Sequence, residues 1–135
     1  MKIYYLIVFL IVLATFALAD KCLQCMCLVE SRCSPIGCNM DEGSLSCGYF
    51  QIKWPYYIDC GQPGGPGEEN WKSCANDYSC SVRCIQNYIA RYGNFCPQAN
   101  SCERIARLHN GGPYGCSSTQ KVDWYWSKVK TCLYR

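Results

Sequence analysis

The sequence predicts an α+β fold that is mainly helical, with one small antiparallel β-hairpin or sheet near the N-terminal side. Fourteen cysteines in 135 residues imply a disulfide framework. Alternating residues just before position 54 are typical of a strand. Apolar residues at intervals of three and four beyond position 72 indicate helices. The length corresponds to one domain.

The chain opens with a segment typical of a secretory signal peptide. One lysine precedes an apolar run from Ile3 to Leu18, and Ala17-Leu18-Ala19 resembles a cleavage site. The run is shorter than the ~20 residues that a membrane-spanning helix needs. We therefore predict a signal peptide over residues 1–19, a mature domain over residues 20–135, and a secreted, extracellular protein without membrane insertion.

All the cysteines lie in the predicted mature segment, and their even number predicts about seven disulfides whose pairing the spacing leaves open. The tight group at positions 22, 25 and 27 also resembles zinc ligands, but such sites belong to reducing compartments. The sequence therefore predicts neither a metal nor a cofactor. The cysteines are Cys22, Cys25, Cys27, Cys33, Cys38, Cys47, Cys60, Cys74, Cys80, Cys84, Cys96, Cys102, Cys116 and Cys132.

The first elements of the mature segment are a helix and a hairpin. "KCLQCMCLVES" predicts a short helix that ends near Ser31. "NMDEG" has turn residues and "GSLSCGYFQIK" alternates like a strand, so together they predict a hairpin across residues 37–53. "GQPGGPGEEN", residues 61–70, predicts an exposed loop because it is rich in glycine and proline.

Three helical patterns follow the loop. "SCANDYSCSVRCIQNYIARYG" predicts a helix that stops at Gly93, and "SCERIARLHNGG" predicts one that is capped by Ser101 and ends at Gly111-Gly112. "STQKVDWYWSKVKTC" predicts the last helix. A cleft between the sheet and these helices is the natural place for a ligand. The predicted inward residues are Val82, Ile85, Ile89 and Tyr92 in the first helix, and Val122, Trp126 and Val129 in the last.

The charge balance excludes one class of partner. The predicted mature segment carries a formal charge of +2, whereas nucleic-acid-binding domains are usually far more basic and have clustered charges. No nucleic-acid partner is therefore expected. The sequence leaves the oligomeric state open.

Two acids in the cysteine-dense segment are candidates for catalysis. Glu30 follows Leu28 and Val29 at the end of a predicted helix, and Asp41 lies at the hairpin turn. Glycoside hydrolysis needs one protonated and one ionised carboxyl group. Because apolar surroundings favour the neutral form of an acid, Glu30 is assigned as the acid and Asp41 as the base or nucleophile. Glu42 competes with Asp41, and ordinary solvent-exposed acids are the alternative interpretation.

Three stretches carry a resemblance to a known family: "CLQCMCLVESRC", "PIGCNMDEGSLSCGYFQIKWPYYIDCG" and "HNGGPYGC". Together they resemble the invertebrate-type lysozymes, the family that includes destabilase, from Lys21 to about Cys116. The resemblance implies a lysozyme-like fold, and it implies that Glu30 and Asp41 are the catalytic acids. It also implies a muramidase that acts on the β-1,4 bond of peptidoglycan, in defence or digestion, with retention of configuration and Asp41 as the nucleophile.

A second chemistry is implied by the same resemblance. Destabilase-like members are linked to cleavage of ε-(γ-glutamyl)-lysine bonds, with Ser44 as nucleophile and Lys53 as base, and His109 is a further candidate. From the sequence alone, Ser44 and Lys53 would meet only if the predicted strand bends or the chain turns, so their ordinary structural roles are preferred. His109, near a helix end, is likewise interpreted first as structural. A non-enzymatic antimicrobial module that binds the bacterial wall is the remaining alternative.

Overall fold

The computed structural model describes residues 1–97, 100–117 and 119–135. Helices dominate these ranges, and a small three-stranded sheet lies near the N-terminal side, as predicted. The helices are α1 (Lys2–Ser31), α2 (Trp54–Asp59), α3 (Glu68–Ala75), α4 (Tyr78–Tyr92), α5 (Ser101–Gly111) and α6 (Gln120–Leu133). The strands are β1 (Cys38–Asp41), β2 (Ser44–Cys47) and β3 (Ile52–Lys53), and two short 3₁₀ helices span Gly93–Phe95 and Gly112–Tyr114.

Helix α1 has two parts that differ in burial. Residues 1–21 are exposed, and burial begins at Cys22. By length and composition the helix could cross a membrane, a test that an N-terminal signal sequence also passes. The helix ends at Ser31, as predicted, because Arg32 adopts a left-handed conformation with φ 56°.

The sheet has the order β1-β2-β3, with both pairs antiparallel. Glu42 and Gly43 form the predicted tight turn, both with positive φ, which is the geometry of a two-residue hairpin. The single strand predicted over residues 43–53 is wrong, because the chain turns a second time between Cys47 and Ile52. Gly48 permits that turn: its φ is 73°, and a Cβ there would lie 1.7 Å from the carbonyl oxygen of Ala75.

The helical part differs from the predictions in its boundaries. The predicted loop ends three residues early, since α3 begins at Glu68. The single helix predicted from position 73 is two helices, because the Asp77 side chain accepts a hydrogen bond from the Cys80 amide and starts α4 there. Asn100 caps α5 in the same way, in place of the predicted Ser101. The last predicted helix began at Ser118, which lies outside the described residues; Thr119 caps α6.

The core lies between the C-terminal part of α1, the helices α2 to α6 and the sheet. In α4 the buried stripe passes through Ser81, Ile85 and Tyr88, so the predicted Val82, Ile89 and Tyr92 are only half-buried. The predicted inward face of α6 is confirmed, with Val122, Trp126 and Val129 buried.

Seven disulfides join all fourteen cysteines, each of which lies within the described ranges. The pairs are Cys22–Cys102, Cys25–Cys132, Cys27–Cys33, Cys38–Cys47, Cys60–Cys84, Cys74–Cys80 and Cys96–Cys116. The three cysteines that resembled zinc ligands therefore have three different partners. Two of these bridges connect α1 to α5 and α6, which fixes the end of α1 against the helical core.

Candidate active site

The two predicted acids line one cleft. Glu30, from the end of α1, and Asp41, from the end of β1, face a hollow of about 340 Å³ between the sheet and the helices. The cleft lies where the sequence placed it. Its other walls come from α2, α4, α5 and the start of α6. Two acids that lie eleven positions apart in the sequence, on two different elements, therefore share one solvent-accessible cleft.

The position of Glu30 follows from the helix that carries it. Cys22, Met26 and Glu30 are spaced four apart, so they lie along one stripe of α1. The first two members of the stripe are fully buried, and the third reaches the cleft at the helix end. The next residue, Ser31, donates a hydrogen bond to the Tyr49 carbonyl oxygen at 2.7 Å. That bond ties the helix end to the second turn of the sheet.

Glu30 lies in an enclosed environment with His109 beside it. The Glu30 side chain is 16% exposed, and its Oε1 lies 3.3 Å from His109 Nε2. His109 Nε2 also lies 2.9 Å from the Phe50 carbonyl oxygen, which can only accept, so this nitrogen carries a hydrogen. His109 Nδ1 contacts the Tyr56 hydroxyl at 3.1 Å. The buried imidazole therefore packs beside the Glu30 carboxyl group and limits the positions that this group can take.

Two buried tyrosines complete the surroundings of Glu30. Burial, and then the neighbouring Tyr88 and Glu30, raises the pKa of Tyr56 far above its ordinary value. Burial, the charge of Glu30 and a side-chain hydrogen bond with Glu30 likewise raise the pKa of Tyr125 far above its ordinary value. Both hydroxyls keep their protons throughout the physiological range and serve Glu30 only as neutral, polar neighbours.

Asp41 has the opposite environment. Its side chain is 51% exposed and lies 3.2 Å from Lys53 Nζ, and Ser46 Oγ donates to it at 3.2 Å. Partial burial alone would raise the pKa of Asp41. The hydrogen bond and charge of Lys53, the Ser46 hydrogen bond and the charge of Lys121 outweigh burial, so the pKa lies below its ordinary value. Asp41 is therefore held as a carboxylate.

The pleat of the sheet brings these partners together. Asp41 pairs with Ser44 across the first turn, and Lys53 pairs with Ser46 across the second. Directly paired residues, and residues two apart on a strand, share one face of a sheet. Lys53 Nζ accordingly donates to Ser44 Oγ and to the Asp41 carbonyl oxygen, both at 2.7 Å. The structure thus brings Ser44 and Lys53 together, which the sequence analysis did not prefer.

Replacing Lys53 tests the cause of the low pKa at Asp41. In Lys53→Met the ammonium group and its hydrogen bond are lost, so we expect the pKa of Asp41 to rise. As the pH is lowered, any activity that needs the Asp41 carboxylate should then be lost at a higher pH than in the parent protein. The acid limb of its pH profile therefore shifts to higher pH. Lys72→Met, which removes a half-buried lysine on α3 far from Asp41 in the sequence, is the matched control. An unchanged acid limb in Lys53→Met would contradict this explanation.

Glu42, the alternative to Asp41 as the second catalytic acid, makes its contact with a different element. Its carboxylate accepts a hydrogen bond from Lys121 Nζ at 2.6 Å. It is not among the described residues that line the cleft. Glu42 therefore connects the hairpin turn to the start of α6, and Asp41 is the acid that faces the cleft.

The sequence analysis missed most of the cleft wall. Ser46 does not line the cleft but donates to Asp41, and it could have been found from its two-residue spacing to Ser44, which places it on the same strand face. Tyr56 lies in the aromatic stretch "WPYY", residues 54–57, which does not by itself mark a cleft residue. Asp59, Tyr88 and Asn110 also line the cleft, and no local pattern in the sequence marked them.

Comparisons with known proteins agree on one family. The profile of the destabilase family matches residues 19–132. Invertebrate-type lysozyme 3 of Caenorhabditis elegans is 52% identical, and the match covers 93% of this chain and 94% of that protein. The invertebrate-type lysozyme of Ruditapes philippinarum is 56% identical over 83% of this chain and 79% of its own.

Solved structures give the same result. The crystal structure of Tapes japonica lysozyme matches with a TM-score of 0.73 and 55% identity, covering 82% of this chain and 86% of that one. Inhibitor-bound lysozyme from Meretrix lusoria matches with a TM-score of 0.74 and 49% identity, covering 82% and 87%. The chain belongs to the destabilase family of invertebrate-type lysozymes and has a lysozyme fold.

Proposed function

We propose that this protein is a muramidase that hydrolyses the β-1,4 bond between N-acetylmuramic acid and N-acetylglucosamine in bacterial peptidoglycan. One observation carries the proposal: two carboxyl groups face one cleft, one enclosed and one held as an anion by an ammonium group. A glycosidase needs this contrast between a proton donor and a carboxylate. Relatives at about 50% identity that are named lysozymes support the same reaction.

Each carboxyl group has a defined role in the proposed reaction. Glu30 gives its proton to the glycosidic oxygen as the bond from that oxygen to the sugar carbon breaks. An oxygen of Asp41 then bonds to that carbon, or stabilises the positive charge that develops there. Water hydrolyses the sugar–enzyme bond and returns a proton to Glu30. His109 and Lys53 position the two carboxyl groups and take no part in bond making.

The site of action is proposed to be extracellular. The apolar, exposed residues 1–19 are consistent with a signal peptide, and a dense set of disulfides persists best in oxidising surroundings. The mature domain then runs from Asp20 to Arg135. N-terminal sequencing of the exported protein should begin at Asp20, and retention of residues 1–19 would overturn the processing proposal.

The direct test is a wall-digestion assay. The purified protein, with its disulfides formed, is incubated with Gram-positive wall suspensions across a range of pH, and turbidity and released reducing sugar are recorded. A fall in turbidity together with reducing-sugar release supports the muramidase. Bacterial killing by both the parent protein and Glu30→Gln, with no sugar released by either, would instead support a wall-binding antimicrobial module.

A second candidate function is an isopeptidase that acts on ε-(γ-glutamyl)-lysine bonds. The observation that favours it is the 2.7 Å contact between Ser44 Oγ and Lys53 Nζ on an exposed sheet face. A serine becomes a nucleophile when an adjacent base takes its proton. Three acceptors around Lys53, including the Asp41 carboxylate, match the three hydrogens of an ammonium group.

Ser44→Ala separates the two candidate reactions. Removing the hydroxyl should abolish hydrolysis of a glutamyl-lysine isopeptide, since no nucleophile remains beside Lys53. Wall digestion should fall by less than about threefold, because the Asp41 side chain keeps its contacts with Lys53 and Ser46. Ser34→Ala is the control serine variant. If the parent protein does not cleave the isopeptide at any pH, the second candidate is dismissed.

A further inference from the structure

Gln51 has an unusual backbone conformation for its residue type. It is the last residue of the second turn of the sheet, just before β3, and its φ is 52°. Residues with a Cβ rarely adopt this left-handed region, and those that do cluster at functional sites. Five described non-glycine residues have a positive φ, and of these Gln51 is the one that lines the cleft. The five are Arg32, Cys33, Glu42, Gln51 and Gln62.

Two hydrogen bonds fix the Gln51 side chain and leave one end of it free. Its backbone amide and its side-chain Nε2 both donate to the Gly48 carbonyl oxygen, at 3.3 Å and 2.9 Å. Since a carbonyl oxygen can only accept, the nitrogen of the carboxamide must be the atom that faces the turn. Oε1 stays accessible, and no described residue donates to it. The side chain therefore presents a fixed and unused acceptor.

Gln51 lies where the two carboxyl groups meet. Glu30 and Asp41 line the main cleft and also a neighbouring hollow of about 310 Å³. Gln51 lines both of these spaces as well. Residues that line both spaces lie at the boundary between them, so the Gln51 carboxamide shares this boundary with the two acids.

Oε1 of Gln51 is the accessible neutral acceptor at this boundary. Two other described residues besides the acids line both spaces, Lys121 and Asn110. The ammonium group of Lys121 can only donate. Asn110 Oδ1 is buried without a hydrogen-bond partner among the described residues, so it does not reach a molecule in the cleft. A small polar molecule beside the acids therefore finds its neutral acceptor on Gln51.

We propose that Gln51 holds the water molecule that hydrolyses the sugar–enzyme bond. This inference rests on the proposed function, with Asp41 as the nucleophile. After the first step Glu30 is a carboxylate, and it accepts one hydrogen of a water molecule in the cleft. Oε1 of Gln51 accepts the other hydrogen. Two fixed acceptors define the position of the water, and correct placement of a reactant lowers the barrier to its attack.

The step balances with these residues alone. The water oxygen bonds to the sugar carbon while the bond from that carbon to the Asp41 oxygen breaks, which restores the Asp41 carboxylate. One hydrogen of the water passes to Glu30 as a proton. The other hydrogen stays on the new sugar hydroxyl group, and its hydrogen bond to Gln51 ends when the product leaves.

A residue that holds the water should decide what attacks the sugar–enzyme bond. The hydroxyl group of a second sugar chain can attack in place of water, and the enzyme then transfers the first sugar to that chain. A sugar acceptor is bound by its own contacts with the cleft, whereas a water molecule depends on the few groups that hold it. Loss of Oε1 is therefore expected to slow hydrolysis and to spare transfer.

The test follows the products from a defined wall hexasaccharide of alternating N-acetylglucosamine and N-acetylmuramic acid in ¹⁸O-labelled water. At early times, mass spectrometry counts labelled shorter products as hydrolysis and products longer than the substrate as transfer. In Gln51→Asn the ratio of transfer to hydrolysis should rise about tenfold, the effect of one lost hydrogen bond. Asparagine tolerates a left-handed backbone, but its shorter side chain does not reach the water.

Two further variants separate this role from a structural one. Gln51→Met keeps the length of the side chain without an acceptor, and it should raise the ratio as Gln51→Asn does. Gln62→Asn is the matched control, because Gln62 has the same φ of 52° but does not line the cleft. Its ratio should equal that of the parent protein. Since both products come from the same folded molecules, the ratio does not depend on how much of a variant is folded.

Three results would overturn the inference: an unchanged ratio in both Gln51 variants, an equal rise in Gln62→Asn, or inversion of configuration by the parent protein. In the last case no sugar–enzyme bond forms, and the muramidase itself still stands. The proposed function fails separately, if the parent protein cleaves neither the hexasaccharide nor bacterial walls.

Discussion

Glu30→Gln is expected to lower the release of reducing sugar from bacterial walls by roughly a thousandfold, with the fold intact. A positioned general acid contributes typically 10²–10⁴-fold to a rate, and an amide has no acidic proton to give. The substitution preserves the shape of the side chain. The contacts of His109 with the Phe50 carbonyl oxygen and the Tyr56 hydroxyl do not involve Glu30, so the histidine beside it stays in place. Circular dichroism and thermal unfolding should therefore match those of the parent protein.

Asp59→Asn is the matched control for this prediction. Asp59 lines the same cleft, but its carboxylate accepts a hydrogen bond from the Tyr92 hydroxyl at 3.0 Å and lies at the end of α2. Loss of its charge should leave wall digestion within about threefold of the parent rate, since it supplies no proton to the reaction. Full activity of Glu30→Gln, or an equal loss in Asp59→Asn, would remove Glu30 as the acid.

Asp41→Asn is expected to reduce the same activity by about a thousandfold through a different cause. The amide cannot bond to the sugar carbon as a carboxylate does, and it cannot balance the positive charge that develops there. The loss should appear at every pH, because no titration restores the charge. In Lys53→Met, by contrast, activity should recover as the pH rises. Initial rates of sugar release across the pH range distinguish the two variants.

Glu42→Gln is the control for Asp41→Asn, since it removes the adjacent acid, which contacts Lys121 but does not itself line the cleft. We expect at most a few-fold change in rate. A larger loss of activity in Glu42→Gln than in Asp41→Asn would indicate that Glu42, and not Asp41, is the second catalytic acid. The anomer released first, followed by NMR, reports the part that Asp41 plays: retention of configuration indicates a nucleophile, and inversion indicates a base that activates water.

The sequence predicted the elements of this fold better than their ends. Helix α1 stops where the sequence placed its end, and the hairpin turn lies at Glu42–Gly43. Periodicity and turn residues are local signals, so they can be recognised in a single sequence. The split between α3 and α4 was missed because a single side chain, Asp77, decides it. The disulfide pairs could not be predicted, because the spacing of cysteines in the sequence does not determine which of them pair.

The candidate site was predictable in its acids and not in their surroundings. Glu30 and Asp41 were chosen because their sequence neighbours differ in polarity, and the structure places them on one cleft. The contact between His109 and Glu30 joins residues that are 79 positions apart, and no local pattern reports such a pair. Lys53 was judged too distant from Ser44 because the second turn of the sheet was not recognised.

The position of Lys53 has a consequence for how the two proposed activities can evolve. The same nitrogen lies beside the Asp41 carboxylate and beside the Ser44 hydroxyl. Sugar cleavage is served by a charged Lys53, and attack by the serine is served by an uncharged one, so an improvement in either would weaken the other. A lineage that needs both at full strength would have to duplicate the gene or recruit a second basic group.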